Sequence, residues 1–260
     1  MLPATRSLPK EMLPLVDKPA VQYVVEELRD AGIQRILFVT GRRKRAIEDH
    51  FDADPELERA VGEAASPASG LRIVYTRQHQ PLGVGDALRY ADGFAGQSGI
   101  VAAFGDAIIS RPPDGGPGVV SRLIDAYEAA GADAAVAVRE VPEELVSRYG
   151  IVAVGAARGA AFDAEDVIEK PDAASAPSRM AIMGRYVLGP AVFTALAQIS
   201  PVGAARSRSP MPCARSSGRE DASLRCRCRQ ASGATTSARS RATVPRFSST
   251  PCRTIASGPS

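Results

Sequence analysis

Apolar positions recur at two periods along the first two hundred residues. Val21, Val24, Val25 and Leu28 share one face at helical spacing, Pro19 suits a first turn and Gly32 a stop, so the spacing predicts a helix over 19–31. Residues 36–40 (ILFVT) form a continuous apolar run ended by Gly41, the pattern of a parallel strand buried on both faces. Further helices are predicted over 44–51, 55–63, 85–91 and 119–130, the last with Leu123, Ile124 and Tyr127 on its apolar face. Strands are predicted over 72–76, 100–104 (closed by Gly105 and Asp106) and 134–138. This alternation predicts an α/β fold with a parallel, doubly wound sheet. Between 149 and 187 the pattern changes to short strands (151–154, 167–169, 181–187) with few helices, which fits a smaller, partly antiparallel section, and a helix follows over 190–199.

Beyond Pro201 both periods vanish. Arg, Ser, Ala, Thr and Pro dominate, and no apolar face exists at spacing 2 or 3.6, so 201–260 cannot offset its ordering entropy and is predicted to be disordered. Charge divides at the same place. The last 60 residues hold 11 Arg against Glu220 and Asp221, a net +9, while the first 200 hold 21 basic and 27 acidic residues, a net −6. A basic tail can bind nucleic acid, but this one lacks aromatics for stacking and any recognised motif, so no nucleic-acid partner is expected. All four cysteines lie in the tail, which leaves the body without a disulfide framework. There is no run of 18 apolar residues and no signal-like start, so no membrane partner and a cytoplasmic location are expected.

Candidate chemistry lies mainly at strand ends and in loops. The string LPKEMLPLVDKP (8–19) is a proline-stiffened loop that brings Lys10 and Lys18 to a helix N-terminus, where anions are favoured. Asp106 follows an apolar strand, the position where open α/β sheets bind ligands. Its alternative is a turn-forming Asp after Gly105. Gln78 just past a strand could be an ordinary surface amide, and Glu169–Lys170 an ordinary strand end. No Ser–His–Asp or Cys–His arrangement is present, and neither His50 nor His79 reads as a ligand.

Seven strings make a family resemblance specific. LPATRSLPKEMLPLVDKP (2–19), VTGRRKRAIEDHFD (39–52), RQHQPLGVGDA (77–87), FGDAII (104–109), VSRYGIV (146–152), IEKP (168–171) and GRYVL (184–188) occur in the order found in bacterial UTP–glucose-1-phosphate uridylyltransferases. The resemblance covers residues 1 to about 199. It implies a Rossmann-like mixed sheet of the nucleotidyltransferase type over 1–200, followed by the tail over 201–260. The implied reaction joins UTP and glucose 1-phosphate to give UDP-glucose and pyrophosphate, with Mg²⁺ as cofactor and a homo-oligomer as a possible assembly. By resemblance, Lys10 contacts the nucleotide phosphates, Gln78 and Gly83 read the uracil edge, and Asp106 holds Mg²⁺. Glu169 would accept hydrogen bonds from glucose hydroxyls, Lys170 would pair with the sugar phosphate, and Gly150 and Gly184 would line the sugar pocket. A glucose-1-phosphate thymidylyltransferase is the rival within the same chemistry.

The sequence also departs from the family pattern. The family has a buried central strand and a Gly-rich loop ending Gly-Thr-Arg ahead of the position of Met1, and neither occurs here. The missing pairing should leave neighbouring backbone groups unsatisfied, at about 1–3 kcal/mol for each one buried. Ala107 stands where the family usually has a second aspartate. Past Ser200 the family's Gln-Leu-Thr-Asp helix and Tyr-Asp-x-Gly segment are absent, and the tail has the look of a shifted reading frame. The expectation is therefore an impaired uridylyltransferase, or a remnant that binds UDP-glucose weakly.

Overall fold

The computed structural model describes residues 8–61, 66–96, 98–158, 161–198 and 242–245. A short hairpin opens it, with β1 (Pro14–Leu15) antiparallel to β2 (Lys18–Pro19), and leads into α1 (Ala20–Asp30). Val21, Val24, Val25 and Leu28 are buried on one face of α1, as their spacing predicts. Then follow β3 (Arg35–Thr40), α2 (Arg45–Phe51), α3 (Pro55–Val61), β4 (Arg72–Arg77), α4 (Val84–Arg89), α5 (Asp92–Ala95) and β5 (Ile100–Ala103). The second half comprises α6 (Val119–Ala130), β6 (Ala134–Glu140), β7 (Gly150–Arg158), β8 (Ala161–Glu169), β9 (Met180–Leu188), α7 (Pro190–Gln198) and β10 (Ala242–Pro245).

Helices cover both faces of the strands. On one side α1, α2 and α6 bury Val24, Phe51 and Val120 against Ile36, and Phe38, Val101 and Ala103 pack against the same cluster. On the other, Leu88 of α4 and Phe193 and Leu196 of α7 cluster with Tyr186 and Leu188, against Leu37, Ile100 and Ala102. The sheet itself is mixed, not uniformly parallel. β9 lies antiparallel between β5 and β6, and β7 and β8 form an antiparallel pair. The chain reverses between β7 and β8, with no crossover helix between them, and β9 keeps the direction of β8, since both run against β7. β7 also touches β9 through Ile151 and Ala181, so this sheet bends back on itself.

The tail departs from the expectation of disorder at four residues. Ala242–Pro245 form a strand inserted between β6, to which it is parallel, and β8, to which it is antiparallel. Thr243 and Val244 are both β-branched, a residue type enriched in strands. The remainder of the 201–260 expectation lies outside the described residues.

β3 and β4 form a separate two-stranded parallel sheet, and no pairing joins β3 to β5 among the described residues. Yet the same clusters span both strands, which therefore face one another across an unfilled position. The Gln34 and Thr40 carbonyls bond Arg72 and Gln78, and the Phe104 N–H bonds Gly184. By strand alternation, the backbone groups of Leu37, Val39, Val101 and Ala103 point into the gap. All four residues are half-buried. Among the described residues no strand pairs with these edges, and the four residues are only half-buried, so the full cost of a sealed unsatisfied group does not apply.

Candidate functional site

The carboxyl ends of β3, β4 and β5 meet at one rim. Arg35 at the start of β3 lies over the Phe94 ring, 4.8 Å from its centroid, just ahead of β5. At the other ends, Lys44 beyond β3 bonds Glu11 at 2.6 Å, and a Cβ on Gly105 beyond β5 would come within 3.3 Å of Glu11 Cγ. The two strands therefore run in the same direction. Glu11 is buried, and its Oε2 has no partner.

Lys10 sits on the short helical turn Lys10–Met12, whose Pro9 supplies the extended entry. Its ammonium forms an ion pair with Asp106, with both side chains partly exposed. Asp106 occupies the turn after β5, closed by the Ala107 N–H donating to the Phe104 carbonyl at 3.1 Å. The sequence-predicted phosphate lysine and metal carboxylate are thus in direct contact. Ala107 turns its Cβ towards Gly184, 3.3 Å from where a Cβ there would stand.

Gln78 and Gly83 are also brought together. The Gln78 Nε2 donates to the Gly83 carbonyl at 3.2 Å and to the Asp86 carboxylate at 2.6 Å. Both partners are acceptors, so they fix the amide with its NH₂ inward and leave Oε1 as the group offered to a ligand. Gly83 has φ 97°, a conformation that suits glycine and lets the backbone enter α4 abruptly. Asp86 was missed by reading roles off the motif. It stands inside the quoted RQHQPLGVGDA string, eight positions from Gln78, a spacing that a loop leading into a helix can close.

Gly150 and Glu169 are cross-strand partners at the start of β7 and the end of β8. Lys170 follows in the left-handed region, φ 50°, held by its N–H donating to the Tyr149 carbonyl at 2.9 Å, and its ammonium lies 3.7 Å from Glu169. A lysine in that conformation carries strain of order 1 kcal/mol or more, of the kind concentrated at functional sites. Gly184 also has a positive φ, 68°, and a Cβ there would come within 3.1 Å of Phe104 Cδ2. It is a close-approach glycine, as expected, but what approaches it is the Asp106 turn. β9 thus links the two regions: Ala181 neighbours the Gly150 end through Ile151, and Gly184 touches the turn. Tyr186, two residues on, has its phenol held protonated by burial, reinforced by the charge of Glu169. Its hydroxyl is buried without a partner.

Among the described residues no three His, Cys, Asp or Glu side chains gather into a metal cage. A site for a hard cation that keeps its waters and substrate phosphates needs only one or two carboxylates.

A model of the nucleotidyl transferase family matches residues 1–223. The chain belongs to that family. The match runs past Ser200, where the motif strings end. A UTP–glucose-1-phosphate uridylyltransferase of Bacillus subtilis (strain 168), YngB, is 42% identical over 208 residues, which cover 76% of this chain and 68% of the relative. A second uridylyltransferase of that organism is 43% identical over 201 residues, 74% of this chain and 67% of the relative. Among solved structures, a UDP-glucose pyrophosphorylase complexed with UDP-glucose superimposes with a TM-score of 0.70 at 34% identity, covering 78% of this chain and 76% of the other. A thymidylyltransferase from Bacillus anthracis is 20% identical with a TM-score of 0.59, a likeness of fold alone. No helix among the described residues is long and apolar enough to cross a membrane.

Proposed function

We propose that this chain is a uridylyltransferase that joins UTP to glucose 1-phosphate, with Mg²⁺ held by Asp106. The observation that carries the reading is the Lys10–Asp106 pair at the carboxyl end of β5, in a chain 42% identical to a uridylyltransferase. The sugar-phosphate oxygen attacks the α-phosphorus of UTP. A new P–O bond forms, the bond to the bridging oxygen breaks, and pyrophosphate leaves with the electron pair. The protein's task is to align two anions and offset their charge.

The cation would supply charge neutralisation on the phosphates, and the half-exposed Asp106 carboxylate at a strand end suits it. Lys10 pairs with Asp106, so with the carboxylate holding the cation its ammonium would be the group beside it that meets the phosphates. Gln78 Oε1 accepts the uracil N3–H, and the flexible backbone at Gly83 permits close approach to the ring. Lys170 meets the phosphate of glucose 1-phosphate, while Glu169 takes the sugar hydroxyls.

Pyrophosphate release from UTP plus glucose 1-phosphate tests this. Mg²⁺-dependent release that saturates in both substrates is expected. Absence of release together with no measurable UDP-glucose binding would overturn the reading. Preference for dTTP over UTP would move it to the thymidylyl branch.

Two further outcomes follow from single contacts. Asp86→Ala frees the Gln78 amide to rotate and should raise KM for UTP about 3–10-fold, the worth of roughly one hydrogen bond, with KM for glucose 1-phosphate unchanged. Lys170→Ala should do the reverse, raising KM for glucose 1-phosphate by about tenfold or more through loss of a charge-assisted contact. Steady-state kinetics with each substrate varied in turn distinguishes the two.

A further inference from the structure

Arg185 is completely buried in β9, and none of its hydrogen bonds goes to a side chain assigned to substrate. Its guanidinium has five N–H donors, and all five have acceptors. Nε and Nη2 donate to Glu27 Oε2 of α1, at 3.2 and 2.7 Å. Nη2 also donates to the Ala107 carbonyl at 2.7 Å, and Nη1 to the carbonyls of Phe104 and Gly184, at 3.4 and 3.1 Å. Phe104 and Ala107 are the two ends of the turn whose middle is Gly105–Asp106. The guanidinium therefore spans that turn from beneath and anchors it to α1. From the side, Gly184 lets the turn lie directly against β9, since a Cβ there would stand 3.1 Å from Phe104 Cδ2 and press the ring aside.

From this geometry we infer that Arg185 is a positioning residue that sets the Asp106 carboxylate for its cation, acting through the backbone of the turn. Two arguments favour this over a purely structural role. A buried ion pair is poor value as a source of stability, because desolvating both charges offsets most of their attraction, and an apolar pair of equal volume commonly serves as well. Here that cost is increased, since Glu27 Oε1 is buried and has no hydrogen-bond partner among the described residues. What an apolar pair cannot do is donate to two backbone carbonyls at once in a fixed plane. A lysine cannot do so either, because its ammonium lacks the rigid fork. The arrangement matches the general behaviour of groups one step behind a metal ligand, which orient that ligand.

The inference rests on the proposed role of Asp106, so its test separates the two. Mn²⁺ binding to the full chain in the presence of UDP-glucose is titrated by electron paramagnetic resonance for wild type, Asp106→Asn, Arg185→Lys and the double variant Glu27→Met/Arg185→Met. UDP-glucose affinity without metal is measured in parallel, and circular dichroism reports folding. Asp106→Asn should abolish the protein-dependent Mn²⁺ site. Arg185→Lys and the double variant should weaken Mn²⁺ about tenfold or more, as second-layer substitutions do, with metal-free UDP-glucose affinity within about twofold of wild type. If Arg185→Lys fails to fold, the double variant decides by the same criterion, since it replaces both charges with apolar groups. Mn²⁺ affinity within twofold of wild type in a folded Arg185 variant, with the site lost in Asp106→Asn, overturns the inference and leaves the metal reading standing. Equal Mn²⁺ binding by wild type and Asp106→Asn overturns the metal role of Asp106, and this inference with it.

Discussion

Asp106→Asn is expected to lower Mg²⁺-dependent pyrophosphate release by about two to three orders of magnitude while leaving the fold intact. The magnitude is that of removing one preorganised group that meets developing charge in a transition state. Asparagine keeps the size and one acceptor oxygen of the side chain but not its charge, and a hard cation discriminates strongly between the two. Stability should change by no more than about 0.5 kcal/mol, because the side chain is 39% exposed and its ion pair with Lys10 is likewise at the surface. KM for glucose 1-phosphate should be nearly unchanged, since Glu169 and Lys170 lie on a separate hairpin. Kinetics paired with a urea melt checks all three parts. An Asp106→Asn protein within threefold of wild-type turnover would remove the carboxylate from the mechanism. A protein that loses activity and stability together would show instead that the Lys10–Asp106 pair is a structural tie.

Much of this arrangement is legible in the sequence, and the exceptions have identifiable causes. α6 runs over Val119–Ala130 as its periodicity predicts, α1 is one residue shorter than expected at each end, and β3 starts one residue earlier. These are segments where a single apolar face faces one core, so local pattern and tertiary burial agree. β8 is the opposite case. Only 167–169 read as strand, because Asp163, Glu165 and Asp166 suggest a loop, yet the strand starts at Ala161. Its carboxylates alternate with Phe162 and Ala164, so one face is polar while Phe162 is buried against Val138 and Val152. Strand direction was legible in outline: the section with short strands and few helices was expected to be partly antiparallel, and β7, β8 and β9 pair so.

The candidate site divides in the same way. Lys10 with Asp106, and Gly150 with Glu169 and Lys170, come together from separate strings, and Gln78 with Gly83 from within one; all are residues that the resemblance named as candidates. Asp86 and Arg185 were not named, because neither is defined by a motif role. Nothing in the GRYVL string itself says whether its arginine is buried. Its complete burial follows only from Glu27, 158 positions earlier, which no local pattern can reveal.

That distant pairing makes the largest stability effect predictable. Glu27→Ala should cost about 3–5 kcal/mol, the usual penalty for stranding one partner of a buried pair. Arg185 has no means of avoiding it. At 0% exposure the guanidinium has no path to water without displacing the Phe104–Ala107 turn. Against a typical total stability of about 5–15 kcal/mol, such a loss leaves a large fraction of molecules unfolded near 37 °C. The companion change Glu27→Met/Arg185→Met should cost far less, because no charge remains to be stranded and the two methionines refill the volume. Urea denaturation of the three proteins supplies the comparison. If Glu27→Ala loses less than about 1 kcal/mol, the Arg185 charge is being met by something other than Glu27. If the double variant is the less stable of the two, then the carbonyl contacts to Phe104 and Ala107, and not the ion pair, supply most of the energy that holds the Asp106 turn in place.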